Sequence, residues 1–111
     1  MLRQDVLRDK RDFDRLFKSG RSNGGKYVVI FYIKNNLGFN RRAFMASKKV
    51  GNSVMRNRAR RLMKESWRNT ESRVKRGFDI LFIARNTIAG TKCQEVEKSM
   101  VAVLTKSNLF Q

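Results

Sequence analysis

At 111 residues the chain has room for one domain and one modest core. Its 26 Lys and Arg stand against 9 Asp and Glu, a formal +17, and such self-repulsion is relieved by an anionic partner, most commonly nucleic acid. With no histidine and a single cysteine, Cys93, the composition excludes an internal disulfide, a thiolate zinc site and imidazole general-base chemistry, and it fits a reducing compartment.

The stretch Met1 to Lys18 is basic, but Asp5, Asp9, Asp12 and Asp14 interrupt it, so it lacks the apolar run of a signal peptide. Asp9 to Ser19 is predicted as a helix, with Asp9 as N-cap, Asp12 favouring the helix dipole and Gly20 in the left-handed C-terminal position. Asp9, Asp12 and Asp14 have the composition of a metal cluster, although helix-start electrostatics accounts for two of them. Phe13, Leu16 and Phe17 share one helix face, which leaves the two phenylalanines open to core packing or to stacking on a ligand. Ser19 to Gly25 reads as a helix stop and loop. Lys26 to Lys34 is a strand, with Tyr27, Val29, Phe31 and Ile33 on one face and Val28, Ile30 and Tyr32 on the other. Its run Tyr27 to Ile33 is the longest apolar one in the chain and falls far short of the about 20 residues of a membrane-spanning helix.

Asn35 to Gly38 reads as a turn, and Arg42 to Ser47 as a second strand forming a hairpin with the first. A long helix follows, over about Ser53 to Lys75, with Met55, Ala59, Leu62, Met63, Ser66 and Trp67 as its buried stripe. Gly77 ends it, and Phe78 to Ala84 is a third, strongly apolar strand. Thr91 caps a last helix over Lys92 to Lys106, whose stripe is Val96, Met100, Val103 and Leu104. The predicted order is α-β-β-α-β-α, an α/β (α+β) two-layer sandwich with a mixed sheet in one domain spanning 1–111.

The charge is concentrated. Residues 41–76 hold 13 of the 26 basic residues and only two acids, Glu65 and Glu71, which leaves +11 there and +6 over the other 75 residues. A merely solvated surface mixes the signs; this window reads as a polyanion-binding face.

Within it, Ser47 to Arg68 reads Ser-Lys-Lys-Val-Gly-Asn-Ser-Val-Met-Arg-Asn-Arg-Ala-Arg-Arg-Leu-Met-Lys-Glu-Ser-Trp-Arg. This run resembles the signature of the protein subunit of bacterial ribonuclease P, centred on Arg56-Asn57-Arg58. Asp12-Phe13, Phe17, Gly20, the run Phe78 to Arg85 and Leu109-Phe110 extend the resemblance over nearly the whole chain. It implies a fold like the second domain of a small-subunit ribosomal protein, with an unusual left-handed β-α-β crossover; the general preference is for the right-handed one. It also implies a protein that joins the catalytic ribonuclease P RNA in a ribonucleoprotein removing the 5′ leader of precursor tRNA. The chemistry would belong to the RNA and to Mg2+ held mainly by it, with no cofactor bound by the protein alone.

By the same resemblance, Arg56, Asn57, Arg58, Arg60, Arg61, Lys64 and Arg68 form the RNA-contacting face, and Lys48 and Lys49 lead into it. The guanidinium fork suits phosphate oxygens, and the asparagine amide suits a base edge or a 2′-hydroxyl. Arg58 stands at the margin of the buried stripe. The leader-binding cleft would use Phe13, Phe17, Phe31 and Phe110, because aromatic faces stack on single-stranded bases regardless of sequence. Where family members carry tyrosine, positions 31 and 110 here lack the hydroxyl. Arg85 either touches RNA or caps a sheet edge, Trp67 reads as core, and Cys93 reads as a small helix-start residue without a histidine to activate it.

Three rivals stand beside this reading. A general RNA- or DNA-binding module shares every charge argument and lacks only the extended motif. A nuclease acting through its own side chains would need a general base or gathered carboxylates. A basic membrane-surface protein would need a helix with a large exposed apolar face. The expectation is therefore a cytoplasmic RNA-binding subunit that needs no membrane and no protein partner.

Overall fold

A computed structural model describes residues 3–111. Helix α1 (Lys10–Ser19) precedes strands β1 (Arg21–Gly24), β2 (Val28–Lys34) and β3 (Arg41–Met45); α2 (Ser53–Thr70), β4 (Phe78–Ala84) and α3 (Cys93–Lys106) follow. The sheet order is β1-β2-β4-β3, with β3 and β4 parallel and the other two pairs antiparallel. The mixed sheet and the element order match the α+β prediction, with β1 as an addition.

Alternation along β4 divides the core between the two sheet faces. Ile80, Phe82 and Ala84 point to the face covered by α2 and α3, where Val28, Ile30, Met63, Trp67, Val96, Met100 and Leu104 complete the main cluster. Leu81 points to the other face and packs with Leu16 of α1 and Leu7. The sheet and the α2/α3 pair form the two principal layers. Helix α1 covers only one end of the remaining face.

The predicted hairpin between the two early strands does not form, because β4 lies between β2 and β3. Side chains of the connecting segment explain this. Asn40 accepts from the Phe78 amide at 2.9 Å and donates to the Lys75 carbonyl at 2.9 Å, so the segment straddles the start of β4. Arg41 then meets Asp79 in register across the parallel pair, with Nε–Oδ1 at 2.8 Å and Nη2–Oδ2 at 2.7 Å. Asn35 also donates to Asp79 at 3.0 Å, and Asp12 of α1 lies 3.3 Å from Arg41. Hydrogen bonding to Asp79 raises the Arg41 pKa, burial opposes it, and the charges of Asp79 and Asp12 add to the rise.

Four local expectations need correction. Asp9 starts α1 without a side-chain cap, and Gly20 is extended rather than left-handed. A side chain at Gly20 would collide with the Leu16 carbonyl, so close approach is what demands glycine there. Helix α2 ends at Thr70, whose hydroxyl back-bonds to the Ser66 carbonyl at 3.0 Å, and Glu71–Arg73 is a 3-10 turn. Thr91 donates to the Ile88 carbonyl instead of capping α3, whose N-cap is Lys92, with its amide 3.4 Å from the Glu95 carboxylate.

Beyond β3, Val6 pairs in parallel with Arg42, and Asp5 forms a 2.7 Å ion pair with the same arginine. Burial pushes the Asp5 carboxyl up, but hydrogen bonds and charges from Arg42 and Arg3 outweigh it and hold the group below its ordinary value of 3.8. No helix among the described residues is long and apolar enough to cross a membrane.

Two outcomes follow from these ion pairs. Asp79→Ala leaves the half-buried Arg41 with only its longer contact to Asp12 and should destabilise the fold by about 2 kcal/mol or more in denaturant unfolding. Asp5→Asn should be less stable than the parent at pH 7. A depressed folded-state pKa contributes stability only above the unfolded value, so the gap should close as the pH falls below about 4.

Candidate nucleic-acid interface

The segment leading into α2 divides its work by residue type. Val50 is buried, while Lys48 and Lys49 stand exposed on the turn before it. Gly51 has φ +145, and a side chain there would strike Met55. Asn52 then caps the helix, accepting from the Met55 amide at 3.0 Å.

Because Ala59, Met63, Ser66 and Trp67 face inward, Asn57, Arg61, Lys64 and Arg68 face solvent, and Arg56, Arg58 and Arg60 lie half-buried along the flanks. Met55, placed in the stripe by spacing, is exposed, and Leu62 is only half-buried. The first turn of α2 holds no acid, so the partial positive charge of the helix start adds to the side chains. Arg68 pairs with Glu65 at 3.3 Å; Lys48, Lys49, Arg56, Arg58, Arg60, Arg61 and Lys64 form no ion pair among the described residues. Arg60 donates to the Asn57 side chain, which orients both on one patch. Arg58 donates to the Thr91 carbonyl, so part of its guanidinium clamps α2 to the loop before α3.

On the opposite sheet face, α1 crosses the strands. Its Asp12 sits over Arg41 at the start of β3, its Leu16 over Leu81, and its Arg15 reaches the Lys34 carbonyl at the end of β2. The rest of that face is open. Strand register lines up Ser22, Phe31, Leu81 and Ala43 in one row and Gly24, Val29, Ile83 and Met45 in the next. Phe17 is 49% exposed beside this surface and meets Phe31 edge-on at 5.0 Å. Phe13 packs at the β3 side of the same cluster.

The two regions communicate. A groove of about 650 Å³ runs past the β3 edge, and its walls include Phe13 and Met45 from the cleft, Arg42 from β3, and Arg60, Lys64 and Arg68 from α2. Trp67 also lines it, with its indole nitrogen buried and without a partner among the described residues.

Of the four predicted cleft aromatics, the structure gathers Phe13, Phe17 and Phe31. Phe110 lies elsewhere: it pairs with Val74, packs against the α2/α3-side core, and carries the Arg73 guanidinium 5.0 Å from its ring centre. Its place at the chain end carried no periodic signal of which face it would join. Sequence reasoning did not single out Val29, Ile83, Met45 and Arg42. Strand alternation puts Val29 beside Phe31, but the whole patch needs the strand order, which no local pattern encodes.

The family model described as Ribonuclease P matches residues 1–108. The ribonuclease P protein component of Alkaliphilus oremlandii is 42% identical over 104 residues, covering 94% of this chain and 91% of the relative. The Thermoanaerobacter pseudethanolicus component is 39% identical, covering 98% of this chain and 96% of its own. Among solved structures, the Staphylococcus aureus RNase P protein aligns with a TM-score of 0.87 at 26% identity, covering 98% of this chain and 100% of that one. The Thermotoga maritima RNase P protein aligns at 0.84 with 27% identity, covering 93% and 97%.

Replacing Arg60 and Arg61 together by alanine should weaken binding to a structured RNA. Each phosphate contact adds about 0.9 to the logarithmic salt slope, so a titration across salt concentrations should show it flattened by up to about two.

Proposed function

This chain belongs to the ribonuclease P family, and on that premise we propose that it holds the catalytic ribonuclease P RNA with one surface and the 5′ leader of precursor tRNA with another. Exposed cations on α2, with Lys48 and Lys49, take phosphates of the RNA. The open sheet face takes the leader, and the ribonucleoprotein removes that leader endonucleolytically.

The observation that carries the reading is the continuity between the two regions. An aromatic cleft leads past the β3 edge into a groove whose far wall is the basic helix. A single strand can stack on Phe17 and Phe31 without sequence preference, at about 1–3 kcal/mol per base, which suits a leader of variable sequence. Its backbone then meets Arg60 and Lys64 as it nears the part of the complex where the RNA is held. The protein's contribution is affinity and alignment, which strengthen substrate binding.

Bond cleavage is assigned to the RNA and its Mg2+. The side chains here fit that division. Asp12 and Asp79 are engaged by Arg41 and Asp5 by Arg42, so these carboxylates hold arginines. The metal supplies the charge neutralisation and activated water of phosphodiester hydrolysis. This chain's own part is to bind and orient the strand.

The test is cleavage of end-labelled precursor tRNA at low Mg2+ by protein alone, by bacterial ribonuclease P RNA alone, and by both. Cleavage at the mature 5′ end should require the RNA and be stimulated by the protein; a mixture no better than RNA alone would favour a general RNA-binding role. Phe17→Ala should weaken holoenzyme binding of leader-bearing precursor by about 1 kcal/mol or more and leave mature tRNA less affected. Equal losses would return Phe17 to a packing role.

A further inference from the structure

A second groove, of about 560 Å³, lies at the end of the sheet where β2 finishes, and it shares no residue with the groove beside α2. Its floor includes Tyr32 and Phe78, both half-buried, with ring centres 6.5 Å apart. Arg21, Lys34 and Lys75 stand around it, no acid lines it, and none of the three forms an ion pair among the described residues. The combination is an aromatic platform inside a purely cationic frame, which is the chemistry that takes a stacked base with its flanking phosphates.

Its position selects the occupant. Ser22 lies beside Phe31 at the β1 end of the open cleft, and the preceding residue, Arg21, pairs with Tyr32 and so projects to the opposite face. Strand β1 is four residues long and forms the sheet edge, so a strand leaving the cleft on this side has one short edge to round before it reaches Tyr32. Ser19, the last residue of α1, lines the groove and stands two residues from Phe17.

We propose that this groove is a distal leader subsite, which takes a nucleotide lying beyond those held in the cleft, with its base on Tyr32 and Phe78 and its phosphates on Arg21 and Lys34. The proposal rests on the leader reading above and deepens it: contact with the leader continues around the β1 edge. Leader length then contributes to affinity in two stages, the first from the cleft and the second from the groove.

The experiment uses holoenzyme assembled with ribonuclease P RNA and precursors whose leaders lengthen one nucleotide at a time. Parent protein is compared with Arg21→Glu and Lys34→Glu, both at exposed positions, and with Lys98→Glu on the exposed side of α3 as a control of equal charge change. With long leaders the two groove variants should bind about tenfold more weakly than the control, the scale of one stacked base. With leaders confined to the cleft, their losses should match the control's. Groove variants that track the control at every length, or that lose affinity equally for mature tRNA, overturn the subsite. A parent whose affinity does not rise with leader length at all overturns the leader reading itself, an outcome distinct from failure of the groove alone.

Discussion

The buried pairing of Arg41 with Asp79 is the constraint on which the rest of the molecule depends. A carboxylate 1% exposed within the sheet is tolerable only with its oxygens satisfied, and Arg41 satisfies both across the parallel strands. That pairing sets the β3–β4 register. Through Asp12 the same guanidinium fixes where α1 crosses the sheet. Because α1 is held at that end, the remaining apolar rows stay open, and the cleft is as much a product of a buried ion pair as of its own aromatic residues.

Segments with strong periodicity were legible in the sequence. Strand β4 begins and ends where its apolar run does, and all four stripe residues predicted for α3 are buried. The basic helix was equally plain, since spacing alone separates Ala59, Met63 and Trp67 from Asn57, Arg61, Lys64 and Arg68. What the local pattern does not encode is non-local. Strand β1 reads Arg-Ser-Asn-Gly, with no apolar alternation, and exists because its backbone pairs with β2. The hairpin expectation failed because adjacency in sequence is only a prior, and the interruption of an apolar strand by Asp79 pointed to a partner whose identity depended on the tertiary arrangement. The resemblance puts Phe110 in the cleft, whereas the fold packs it against the core on the other side of the sheet.

Along α2, charge and packing are kept apart. The inward side of α2 is apolar apart from Ser66 and Thr70, while its outward side carries cations of which one, Arg68, has an acidic partner among the described residues. Such a surface is repulsive by itself and gains by meeting phosphates, so the feature that burdens the isolated chain suits it to a polyanionic partner. Arg58 donates to the Thr91 carbonyl, and through it the orientation of the basic helix depends on the loop before α3.

The pairing of Val6 with Arg42 has a consequence for colloidal behaviour. A four-stranded sheet has two edges, and an open edge is a template for pairing with another chain. Residues 5–7 cover part of one edge, bonding to both the amide and the carbonyl of Arg42. The other edge is the short polar strand that opens with Arg21. With one side occupied and the other brief and charged, the sheet offers little to a second copy, so a concentrated solution of the protein is guarded against edge-to-edge fibril growth by how its borders are finished.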